Sequence, residues 1–252
     1  MFFRTLTASL LIVGSLLTLP SAAQAQEEQP LTPKQQDAVK KLVHDYIMDN
    51  PSVIADAIEA LRQKEELAAE ISARKAITDR KSEILDDPES PVLGNPKGDV
   101  TLVEFFDYRC PYCKNMLDMV METVKADGKV RLVMKELPIL GPDSVTASRA
   151  ALASRNQKKY EEFHRALMKL KGPINDASVM KTAAEIGLNV EKLKKDMDDD
   201  RIDTVLKNNI QLAHALNISG TPGFIIGDQI TPGAMSQQAL KQMIDQARKP
   251  KS

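Results

Sequence analysis

The two cysteines of this 252-residue chain stand together as Cys110-Pro111-Tyr112-Cys113. As a permanent disulfide this pair would close a tiny loop and constrain the unfolded chain little. Its spacing suits exchange chemistry better. An apolar strand pattern, Val100 to Phe106, runs almost directly into the pair, and an amphipathic stretch from Lys114 to Lys125 follows it. That succession puts Cys110 at the N-terminal edge of a helix, where free backbone N–H groups and the helix dipole stabilise a thiolate. Cys110 is therefore the candidate nucleophile. Cys113, one helical turn on, is within reach and can resolve a mixed disulfide by attacking Cys110. Pro111 and Tyr112 lie between them and can tune how far the thiolate is favoured. Neither is a cation, so any lowering of the thiol pKa must come chiefly from backbone and helix.

The competing reading of Cys-x-x-Cys is half a zinc site, which needs two further ligands. His44, His164 and His214 are isolated in sequence from one another and from the pair, and read as ordinary helix-face residues. The remaining zinc arrangement is one shared between subunits. Eleven methionines, Met116 and Met119 among them, could suggest copper, but methionine at helical spacing fits a core or an adaptable peptide groove better. No metal and no organic cofactor is required.

Around the pair the pattern is α/β. Val130 to Glu136 reads as a second strand, and a mostly helical stretch, an insert at about 139–216, separates it from a third, Gly223 to Ile226. Gly227-Asp228 is a hairpin turn, Thr231-Pro232 reads as a turn after the strand pair, and Ser236 to Arg248 is a final helix with Leu240, Met243, Ile244 and Ala247 on one face. Upstream, Thr32, Pro33 and Gln35 make a capping box for a first helix. Asn50-Pro51 breaks the chain, and Ile54, Ile58, Leu61, Leu67, Ile71, Ile77 and Ile84 then form a narrow seam along a second, longer helix. A seam so narrow suits another helix better than a broad core, so residues 26–84 read as a helical oligomerisation arm. The alternative is an arm folded back on its own domain. A turn-rich linker from Asp86 to Gly98 leads to the catalytic domain, 85–252.

Residues 1–25 look like an export signal. Arg4 supplies the positive start, Leu10 to Leu19 the apolar run, and Ala23-Gln24-Ala25 a small-residue cleavage site, so the mature chain is expected to begin near Gln26 in an oxidising compartment. With 34 basic against 35 acidic residues and 42% hydrophobic content, the chain can bury a full core. It carries no electrostatic footprint for nucleic acid or an anionic membrane surface.

The segment Glu104-Phe105-Phe106-Asp107-Tyr108-Arg109-Cys110-Pro111-Tyr112-Cys113 resembles the active-site segment of the DsbA family of exported thiol-disulfide oxidoreductases, and Gly220-Thr221-Pro222-Gly223-Phe224 is the second mark. The resemblance implies a thioredoxin-like fold with a helical insertion, a cis Pro222 facing the cysteines, and a Thr221 backbone that pairs with an extended substrate strand. Glu104 resembles the family's buried acid, with Lys135 as a possible partner. Such a carboxylate could exchange a proton with Cys113, or be simply a paired acid at a strand edge. A DsbA-like domain behind a helical arm is similar to the periplasmic ScsC group, which includes trimeric disulfide isomerases. It implies periplasmic location, protein substrates with thiols or disulfides, a membrane redox partner, and a homo-oligomer, trimer before dimer. The expected activity is isomerisation of mispaired disulfides, with DsbA-like dithiol oxidation as the alternative. Two other classes stand beside it: a holdase or assembly scaffold, and a copper- or zinc-handling thiol protein.

Overall fold

A computed structural model describes residues 30–249; the proposed signal segment 1–25 lies outside the described residues. The chain divides into two compact units between Glu59 and Ala60. In the first, Thr32 caps helix α1, Pro33–Asp49, through a complete capping box with Gln35. No residue of α1 is buried, and Leu42, Val43, Tyr46 and Ile54 present apolar side chains to solvent. Helix α2, Ser52–Asp79, crosses the boundary between the units.

In the second unit the seam divides. Leu61, Leu67 and Ile71 are exposed, whereas Ile77 and Ile84, the latter in the short helix α3, Lys81–Leu85, are buried. Both pack with Val103, Phe105, Val133 and Leu137. The end of the stretch read as arm is thus core of the catalytic domain. The linker also holds more structure than its turn residues imply: Val92–Gly94 forms edge strand β1. Gly94 ends it at φ +69°, where a Cβ would lie 2.6 Å from Val124 Cγ1 and 2.7 Å from the Val130 carbonyl. Only glycine fits there without a shift of neighbours.

Strand β2, Val100–Phe106, leads into helix α4, Pro111–Asp127, and then strand β3, Val130–Glu136. The helical insert follows as α5 (Pro142–Ala153), α6 (Tyr160–Lys169), α7 (Asp176–Glu185), α8 (Val190–Met197) and α9 (Asp200–Ala215). Strands β4, Gly223–Ile226, and β5, Gln229–Pro232, join through the two-residue turn Gly227-Asp228, with Gly227 at φ +63°. Thr231 and Pro232 therefore belong to β5 rather than to a turn beyond it. Helix α10, Gln237–Arg248, closes the domain under a Ser236 cap.

The sheet order is β1-β3-β2-β4-β5; β2 and β3 are parallel, and the other pairings antiparallel. Alternation along β2 sorts the two faces. Leu102 and Phe106 pack in the core with α4, α10 and the insert, while Val103 and Phe105 face the core that includes Ile77, Ile84 and Leu212. The register pairs Glu104 with Met134, Phe105 with Lys135 and Phe106 with Glu136. Met116 is buried in the first core and Met119 packs against it.

Candidate active site

Cys110 is the N-cap of α4, in extended conformation, with Pro111 at the first helical position. The first-turn amides of a helix have no intrahelical carbonyl, so the sulfur sits where backbone donors are free. The Cys110 amide donates to the Asp107 carbonyl at 3.1 Å, and its own carbonyl accepts from Lys114 at 3.1 Å. Both cysteines are free thiols and both are buried. Burial pushes the Cys113 thiol well up, and the nearby Glu104 charge and Cys110 push the same way against a hydrogen bond from the Asp107 backbone. A thiol so held stays protonated until a base or a change at Cys110 draws the proton away. Pro111 and Tyr112 are exposed, Tyr112 by 63%.

From the far side of the sequence, the Thr221 carbonyl accepts the Cys110 thiol at 3.2 Å. The Thr221–Pro222 peptide is cis. Pro222 is buried, with its carbonyl taken by the Gly233 amide at 2.8 Å. Arg109, beside Cys110, donates its guanidinium to the Leu140 carbonyl. That contact brings the exposed Ile139 and Leu140 alongside the cysteine loop.

Glu104 is buried, and burial raises its carboxyl to about 8. Lys135 is not its partner. Directly paired residues of neighbouring strands share a face, and Lys135 is paired with Phe105, so it points away from Glu104. The Lys135 ammonium instead donates to Asp87 and to the Glu83 carbonyl, both at 2.8 Å, tying α3 and the linker to β3. Burial lowers its pKa while Asp87 pulls it back.

His164 departs furthest from the helix-face reading. It is buried, its Nδ1 lies 3.1 Å from the Tyr108 hydroxyl, and its ring packs edge-on to Phe106 and stacks on Tyr160. Burial drops its pKa to about 3, so it is neutral at ordinary pH. The group it joins centres on Glu136. One carboxyl oxygen accepts from Tyr108 at 3.0 Å and Tyr160 at 2.8 Å, and the other from Ser148 at 2.7 Å. Burial raises the Glu136 carboxyl to about 8 against those three hydrogen bonds. Asp107, fully buried, accepts from the Arg109 amide at 2.7 Å, the Leu140 amide at 3.0 Å and Ser144 at 2.8 Å. Sequence reasoning passed over this group. Polar residues at strand ends look like loop residues, and the serines of α5 give no sign of facing carboxylates. Among the described residues no cluster of three or more His, Cys, Asp or Glu side chains is arranged to hold a metal ion.

A five-stranded mixed sheet with a Cys-x-x-Cys at the start of the helix after β2, facing a cis proline before β4, defines a thioredoxin-like fold carrying a helical insert. Residues 101–245 match the family described as DSBA-like thioredoxin domain, and residues 35–68 match the copper resistance protein ScsC N-terminal domain. The chain belongs to the DsbA-like thioredoxin family. A thioredoxin-like oxidoreductase from Silicibacter pomeroyi is 46% identical, with a TM-score of 0.66 over 68% of this chain and 98% of that one. A linker-deletion variant of ScsC from Proteus mirabilis is 28% identical, with a TM-score of 0.67 over 88% of this chain and 98% of that one. Disulfide bond formation protein D of Bacillus subtilis is 24% identical over 64% of this chain and 78% of its own length. The chain spans about a quarter of the first curated relatives it matches, such as a Na(+)/H(+) antiporter NhaA of Salinispora arenicola, 26% identical over 65% of this chain. No helix among the described residues is long and apolar enough to cross a membrane.

Proposed function

We propose that this protein is a periplasmic thiol-disulfide oxidoreductase that isomerises mispaired disulfides in protein clients. The observation that carries the reading is the Cys110 sulfur at the N-cap of α4, 3.2 Å from the Thr221 carbonyl. In the reduced protein, the Cys110 thiolate attacks one sulfur of a client disulfide, forming a mixed disulfide and releasing the other sulfur as a thiolate. A different client thiolate then attacks the client sulfur of the mixed disulfide, which forms a new client disulfide and expels Cys110 as a thiolate; or Cys113 attacks Cys110, which expels the client sulfur as a thiolate and leaves the pair oxidised and the client reduced. Glu104, close enough for its charge to act on Cys113, exchanges a proton with it: in its ionised form it takes the proton that an attacking Cys113 must lose, and in its protonated form it returns one when Cys113 is the leaving group. The backbone at Thr221-Pro222 presents the client strand, and Pro111 and Tyr112 form the exposed rim.

The arm supports isomerisation over simple oxidation. Its exposed apolar side chains, from Leu42 to Ile71, suit contact with copies of the same chain. Several active sites then hold one misfolded client by multivalent contact. A trimer is the favoured assembly, and a membrane partner would keep the pair reduced. The likeness to disulfide bond formation protein D favours a second reading, dithiol oxidation, in which an oxidised pair is attacked by a client thiolate and passes its disulfide on.

The test is reactivation of an enzyme with scrambled disulfides by the reduced chain with and without residues 26–59, a cut that spares the buried Ile77 and Ile84. Loss of reactivation on truncation, with dithiol oxidation retained, is expected. Equal reactivation by both forms would remove the arm from the mechanism. Oxidation without reactivation by either form would establish the oxidase.

A further inference from the structure

The helical insert is fastened to the sheet by two buried carboxyls at adjacent strand ends. Asp107 follows the last residue of β2, and Glu136 is the last residue of β3. Ser144 and Ser148, one turn apart on the same face of α5, donate to Asp107 and Glu136 respectively. Tyr160, at the start of α6, shares the other Glu136 oxygen with Tyr108, and Asn209 of α9 donates to the Glu136 carbonyl at 3.1 Å. Three helices of the insert thus converge on one residue of β3. Tyr108 connects that point to the chemistry, because it stands two residues before Cys110 and its hydroxyl is held from both sides, by Glu136 and His164.

We propose that Glu136, acting through Tyr108, is a positioning residue for Cys110: it clamps the insert to the sheet and holds the loop from Asp107 to Cys110 so that the sulfur stays at the helix N-terminus opposite Thr221. The inference rests on the thiol-disulfide exchange reading and names the group that aims its nucleophile. The loop spans only the residues between β2 and α4, so freedom at Tyr108 passes directly to Cys110. The clamp needs acceptors, since three hydroxyls converge on one carboxyl. Glutamine keeps one oxygen for the two tyrosines, and its NH2 can donate to Ser148 in place of accepting from it.

The experiment compares full-length wild type, Tyr108→Phe, Glu136→Leu and Glu136→Gln in oxidation of a dithiol peptide with glutathione disulfide as the terminal oxidant, measuring kcat and KM, and titrates the Cys110 thiolate in each by its ultraviolet absorbance. A misplacement of about 1 Å can cost about 100-fold in rate, so a smaller loosening in Tyr108→Phe is expected to lower kcat about three- to tenfold. KM should be unchanged and the Cys110 titration midpoint should move upward. Glu136→Leu, which removes both acceptor oxygens, is expected to lower kcat as Tyr108→Phe does, and Glu136→Gln, which keeps an oxygen for the tyrosines, to recover most of that loss. A Tyr108→Phe protein with a lower thermal midpoint but wild-type kcat and Cys110 titration would overturn the proposal, leaving the cluster a purely structural stitch. Glu136→Leu holding wild-type kcat would also overturn it, since the carboxyl would then hold nothing that Cys110 needs. A wild-type protein unable to oxidise the peptide would sink the exchange reading alone, and the Cys110 titrations would still decide the clamp.

Discussion

Glu104→Gln tests whether the carboxyl beside Cys113 is held neutral by burial. Below pH 4.5 the Glu104 carboxyl is protonated in folded and unfolded chains alike, because its ordinary pKa is 4.5 and its folded value about 8. Between those values the unfolded chain gives up the proton and the folded chain keeps it. The folded state binds more protons there, so stability declines as pH rises, and above about pH 8 the loss is complete. At about 1.4 kcal/mol per pH unit, the decline between pH 5 and pH 8.5 is about 4 kcal/mol for this one group. For a domain of this size that is roughly 10 °C in thermal midpoint. Glutamine cannot ionise, so it removes this contribution, while those of Glu136 and His164 are common to both proteins and cancel in the difference. Urea unfolding of the reduced proteins at both pH values should show Glu104→Gln gaining about 4 kcal/mol on wild type in passing from pH 5 to pH 8.5. A difference between the two proteins that is the same at both pH values would refute the reasoning, and with it the raised carboxyl pKa that suits Glu104 to exchange a proton with Cys113.

Cys113→Ala should trap the mixed disulfide between Cys110 and a client, visible as a reducible adduct on a non-reducing gel, and Cys110→Ser should form none; an adduct through Cys113 would reverse the proposed roles. The His164 pKa of about 3 against 6.5 means the unfolded chain binds the extra proton first as pH falls. The His164 contribution to stability is therefore lost from pH 6.5 towards pH 3, and His164→Phe, which keeps the ring contacts, should gain on wild type in thermal melts as pH falls through that range. Ile84→Ala should cost about 2–5 kcal/mol in urea unfolding through a cavity beside the sheet. Leu61→Ala, exposed on α2, should leave unfolding nearly unchanged while weakening self-association in sedimentation. Equal effects of the two on unfolding would show that Leu61 is as much core as Ile84.

Much of the scaffold was legible because it rests on local rules. The Thr32 capping box, the Gly227-Asp228 turn, the Ser236 start of the last helix and Cys110 at the mouth of α4 each depend on residues a few positions apart, whose stereochemistry leaves little choice. The succession of elements from β2 to α10 and the cysteine pair were legible for the same reason, while the pairing of Cys-Pro-Tyr-Cys with Thr-Pro came from the family resemblance. What the sequence could not decide is which polar groups meet across the fold. Lys135 looked like a partner for Glu104 because both lie on neighbouring strands; a register that pairs Lys135 with Phe105 sends it to the other face, to Asp87 and Glu83. Ile77 and Ile84 continue the apolar seam of Leu67 and Ile71 in sequence, and only the packing of the end of α2 and of α3 on the sheet separates core from seam. Asp107, Tyr108, Glu136, Ser148, Tyr160 and His164 are scattered over almost sixty residues of chain. Local sequence determined the elements and placed the sulfur on its helix. The polar cluster behind that sulfur exists only once β2, β3, α5 and α6 are packed, because a buried hydrogen bond depends on register and crossing geometry that no short stretch of sequence contains.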